Sequence, residues 1–120
     1  MTDADRELVE LAARAYGLQV KGWIGSKLKY FDPITGFTDC EGIWNPLEDD
    51  GDAFRLLVKI SQRPGGAALM INSRLNMYHV AQCYTDANTI APSEHLIGNP
   101  ASVTRRVITK AAAEIGRGIK

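Results

Sequence analysis

The chain has little of the residues that mark several large protein classes. Its 120 residues include only two cysteines, Cys40 and Cys83, far apart in sequence. This pair does not form the framework of a small secreted domain, so we expect reduced thiols. No apolar run approaches the roughly 18 residues of a membrane-spanning helix, and the N-terminus has no signal-like apolar stretch. These absences predict a soluble cytosolic protein.

The chain also has no excess charge of either sign. Its 14 Lys and Arg balance its 14 Asp and Glu, so no overall field attracts nucleic acid or an anionic membrane. Its hydrophobic fraction of 45% is sufficient to bury one core without metal or disulfides. No repeat, linker or low-complexity segment divides the sequence, which predicts a single domain over residues 1–120.

Motifs for catalysis are missing as well. The sequence contains no glycine-rich phosphate loop, no Cys-x-x-Cys pair and no nucleophile elbow. His79 and Cys83 share a predicted strand face, but at about 3.3 Å per residue they lie more than ~12 Å apart. No acid, base and nucleophile form a set, so we predict neither enzymatic activity nor a cofactor.

Three helices are predicted from their caps and apolar periodicity. Thr2 caps a helix over Asp3–Tyr16 that ends at Gly17. Asp-rich residues open a second helix over Asp50–Ser61, which carries an apolar stripe. A third follows Asn99 and Pro100 and ends at Gly116. The stripe of the second helix consists of Phe54, Leu57, Val58 and Ile60.

The segments between the helices are predicted to form hairpins. Arms at residues 28–31 and 37–43 flank a turn signal over residues 32–36. Residues 67–72 and 77–85 form a second predicted hairpin, followed by an irregular loop over residues 86–98. The order α-β-β-α-β-β-α, with room for one extra short strand, predicts an α+β fold. Its antiparallel sheet of about four to five strands packs with three helices.

The acidic segment before the second helix is the first candidate site. Glu48, Asp49 and Asp50 lie among six acids between residues 39 and 52, with no Lys or Arg between them. Negative charge at a helix N-terminus is stabilising by up to about 1 kcal/mol, which favours capping. An acidic patch facing a basic partner and a divalent cation site are the alternatives.

The turn at Trp44-Asn45-Pro46 is the second candidate. A residue before proline is extended, and Asn bonds nearby backbone amides, so a rigid turn with Trp44 closing the core edge accounts for all three residues. The alternative is an exposed Trp44 that anchors a partner or stacks on a base.

Basic residues on the last helix form the third candidate. Arg106 and Lys110 share a helix face, and with Arg105 they could contact phosphates. His95 lies in the irregular loop and could join an anion site. The neutral overall charge favours a solvated face over a nucleic-acid site.

Two stretches resemble a known group of proteins. Residues 44–56, beginning Trp44-Asn45-Pro46-Leu47, and residues 104–116, beginning Thr104-Arg105-Arg106, are similar to a family of small uncharacterised proteins of tailed phages and prophages. They also resemble the phage αβα sandwich domain. The resemblance covers most of the chain in outline, but residues 22–40 and 72–99 carry no match. It implies a phage accessory gene expressed in a bacterial host, with no catalytic or binding residues to transfer.

Three functions follow as expectations. The first is a phage accessory protein that binds a host protein in the host cytoplasm, for example as an inhibitor of a defence complex. The second is a small anionic ligand or nucleotide binder, and the third is a nucleic-acid binder that uses the basic last helix. Sheet edges left by the hairpins would also allow a homo-oligomer.

Overall fold

The three helices lie where their sequence signals place them. The computed structural model describes residues 2–31, 41–72, 80–84, 93–95 and 100–119. Helix α1 spans Asp3–Tyr16, with the Thr2 hydroxyl accepting the Asp5 N–H at 3.1 Å and Gly17 taking a left-handed φ of 92°. Helix α2 spans Asp50–Ser61 and helix α3 spans Pro100–Arg117. The caps and the apolar spacing therefore predicted α1 and α2 at these bounds, whereas α3 continues one residue past its predicted end at Gly116.

The strands form two antiparallel sheets instead of the single sheet expected. Sheet A contains β1 (Gln19–Ile24), β2 (Lys27–Phe31) and β3 (Glu41–Trp44), in that order. Sheet B contains β4 (Ala68–Asn72), β5 (Val80–Tyr84) and β6 (Ser93–His95). The mixed α+β class and the antiparallel pairing are confirmed, whereas the described strands number three in each of two sheets.

Both predicted hairpin pairings occur. β2 pairs β3 and β4 pairs β5, while the predicted turn over residues 32–36 lies outside the described residues. Sequence reasoning underestimated β1, which pairs β2 through a two-residue connection where Gly25 takes a φ of 59°. It also placed β6 within a loop, because three residues are too few to give a period-2 signal.

The core lies where α1, α2, α3 and sheet A meet. Sheet A contacts α1, sheet B contacts α3, and α1 packs closely against α3. Gly116 makes this helix contact possible, because a Cβ there would lie 1.9 Å from the Leu11 carbonyl oxygen. The largest fully buried side chains include Leu28 of sheet A, Leu56 of α2 and Val107 of α3.

Helix α2 is rotated relative to its predicted orientation. Ala53, Leu56 and Ile60 face the core, while Phe54 and Val58 are 65% and 43% exposed. The sequence offers two apolar rows at helical spacing, and the predicted stripe mixed them. Contacts between Asp52 and the chain before the helix select the row that is buried.

Candidate functional site

The acidic segment is largely committed to contacts within the protein. Asp49 is the N-cap of α2, and its Oδ2 accepts the Asp52 N–H at 2.8 Å. Asp50 pairs with Arg105 at 2.5 Å, and Glu48 accepts the Ser26 hydroxyl at 3.1 Å and lies 3.8 Å from Lys27. The capping interpretation of Asp49 is confirmed, and these acids connect α2 to α3 and to the β1–β2 turn.

Asn45 and Asp52 form the buried polar centre of this region. Asn45 is fully buried, and its N–H donates to Asp52 Oδ2 at 2.9 Å. Its side-chain amide donates to the Ser26 carbonyl at 2.6 Å, and its Oδ1 accepts the Leu47 N–H at 2.9 Å. These bonds fix the turn before α2 and thereby the rotation of the helix.

The Asp52 carboxylate also binds a cation, the Arg55 guanidinium. Arg55 donates to Asp52 Oδ1 at 2.7 Å and lies 3.9 Å from Asp49 Oδ2. The hydrogen bond to Asp52 raises the pKa of Arg55 above its usual value. Because that value is already far above neutrality, Arg55 remains a cation across the physiological pH range.

Trp44 lies in the core and not on the surface. It is 3% exposed and meets Tyr16 edge to face, with the ring centroids 6.0 Å apart. This agrees with the prediction that Trp44 closes the core edge. A buried indole offers no contact area to a partner. The alternative prediction, an exposed Trp44 that anchors a partner or stacks on a base, is therefore wrong.

The basic residues predicted to bind anions are mostly paired within the protein. Arg105 donates from Nε to the Leu47 carbonyl at 2.9 Å and from Nη1 to Asp50. Arg106 donates to Asp5 Oδ1 at 3.0 and 3.2 Å, joining α3 to α1. Lys110 is half-buried on α3 and also has an interaction partner. His95 lies on β6, and its side chain is outside the described residues.

No metal centre is formed by the described part of the chain. Across residues 2–31, 41–72, 80–84, 93–95 and 100–119, no three His, Cys, Asp or Glu side chains group closely enough to hold an ion. Asp49, Asp50 and Asp52 follow one another along the chain, but they bond a backbone amide, Arg105 and Arg55 respectively.

One exposed apolar feature lies on α2. Phe54 and Val58 are one helical turn apart and form an outward ridge, here called the α2 ridge. Beside it runs an open apolar groove of about 410 Å³, the α2–α3 groove. Its wall includes Leu57, Leu69 and Ile108, and the Asp50–Arg105 pair lies at its margin. Sequence reasoning missed this surface, although the i, i+4 spacing of Phe54 and Val58 marked it.

A second exposed apolar feature lies on sheet A. Ile24 and Ile43 are 59% and 58% exposed on β1 and β3, and both point away from the core. In the sheet register Ile24 is opposite Lys27 and Ile43 is opposite Lys29. Lys21 lies over the Phe31 ring at 5.8 Å. We call this surface the outer face of sheet A.

Within the described residues, no helix is long and apolar enough to cross a membrane.

Comparison with known proteins identified no relative of this chain. The chain matches no protein-family model, no curated protein and no solved structure.

Proposed function

We propose that this protein acts by binding another protein, as a phage or prophage accessory protein that engages a host protein in the bacterial cytoplasm. A host defence complex is one target class under this proposal. The phage assignment comes from the resemblance of residues 44–56 and 104–116. The binding mode comes from the exposed surface of sheet A.

The observation that carries the binding mode is the pair of exposed isoleucines. Ile24 and Ile43 lie on the two edge strands of sheet A, and each is more than half exposed. The opposite face of sheet A carries Leu28 of β2 and Trp44 of β3 in the core. Lys27 and Lys29 of the central strand lie between the two isoleucines, so this face combines exposed apolar side chains with basic ones that a protein partner can contact.

The charge on this face selects the kind of partner. Lysines at positions 21, 27 and 29 lie on this face; Lys27 is 3.8 Å from Glu48, and Lys29 also has an interaction partner. Exposed lysines favour contact with an acidic surface, which also raises the association rate. A host protein with an acidic, partly apolar patch therefore suits this face.

Affinity capture from a bacterial lysate tests the proposal. The wild-type chain, Ile43→Glu and Val58→Glu are used as parallel baits, because both substitutions place a carboxylate at an exposed apolar position. We expect a stoichiometric host protein that Val58→Glu retains and Ile43→Glu loses by at least about ten-fold in affinity, the equivalent of about 1.4 kcal/mol.

Two outcomes would count against the proposal. Equal capture by both variants would remove the outer face of sheet A as the contact. No stoichiometric protein on any bait would remove the host-protein function and favour the small-ligand alternative. A thermal-shift screen with nucleotides checks that alternative, since a ligand at ~100 times its Kd adds about 2.7 kcal/mol of stability.

A further inference from the structure

We draw no further inference here: the strongest candidate, the polar cavity of about 230 Å³ that Tyr16, Tyr30 and Arg55 line between α1, sheet A and α2, carries nothing, because Arg55 already bonds Asp52 and no group in the described part of the chain selects the chemistry of a ligand there.

Discussion

At the residue scale, the turn before α2 is held by one buried amide. Asn45 has no exposed area, yet each polar atom of its side chain has a partner, Ser26 on one side and Leu47 on the other. Asn-Pro in a sequence predicts a turn, and this prediction is confirmed. The partner Ser26 is 19 residues away, so that contact was invisible in the local pattern.

Replacing Asn45 by Ala should therefore destabilise the protein. The Ser26 carbonyl and the Leu47 N–H would each lose a partner, and an unsatisfied buried group costs about 1–3 kcal/mol. We expect Asn45→Ala to lower the free energy of unfolding by roughly 2–4 kcal/mol in urea denaturation.

The control for this change is Ser26→Ala. It removes only the exposed hydroxyl bond to Glu48 and leaves the Ser26 carbonyl in place, so the loss should stay within about 0.5 kcal/mol. Equal losses for the two variants would show that the Asn45 amide does not hold the turn.

At the element scale, the closest contact between helices depends on a residue without a side chain. Gly116 packs against the backbone of Leu11, where a Cβ would come within 1.9 Å of the carbonyl oxygen. Sequence reasoning treated Gly116 as a helix end, because glycine commonly follows a helix. The helix continues to Arg117, and the reason for glycine is the approach of α1.

Gly116→Ala should consequently lower stability even though Ala favours a helix by about 1 kcal/mol. Neither backbone can move out of the way without separating α1 from α3, and overpacking of this kind costs about 1–3 kcal/mol or more. Thermal unfolding of the variant should occur at a clearly lower Tm than that of the wild type.

Gly118 provides the matched control two residues further on. A Cβ there would meet the Ile115 carbonyl oxygen at 3.4 Å, which is close to ordinary contact. Gly118→Ala should therefore leave the Tm nearly unchanged. A Gly116→Ala variant as stable as Gly118→Ala would mean that α1 and α3 do not approach this closely.

Helix α2 illustrates what an amphipathic pattern can and cannot predict. Its bounds followed from the Asp49 cap and from the apolar spacing, and both are confirmed. Its orientation did not follow, since two rows of apolar residues compete for the core. The hydrogen bond from Asn45 to Asp52 holds Asp52 inward, and this exposes Phe54. The exposure of the α2 ridge therefore follows from a polar contact with a residue outside the helix.

At the scale of the whole molecule, the neutral charge and the internal ion pairs argue against nucleic-acid binding by α3. Arg105 and Arg106 each bond a carboxylate of another element, so binding phosphates would require breaking those contacts. Non-specific affinity depends on the number of phosphate contacts, which a chain of zero net charge provides poorly.

We therefore expect no retardation of duplex DNA or single-stranded RNA in gels at physiological salt. The purified chain serves as the sample, and a strongly basic DNA-binding domain serves as the positive control. Retardation that declines steeply as salt increases, and that Arg106→Gln reduces, would restore the nucleic-acid function of the last helix.

The sequence by itself determined the elements of this protein, because caps, turns and apolar spacing act over a few residues. It predicted the α1 and α2 bounds, the pairing of β2 with β3 and of β4 with β5, and the capping role of Asp49. Tertiary structure decided how the strands divide between two sheets, which row of α2 is buried, and that Arg105 and Arg106 pair within the protein. Those outcomes depend on contacts between residues as far apart as Asp5 and Arg106, whose geometry no local pattern contains.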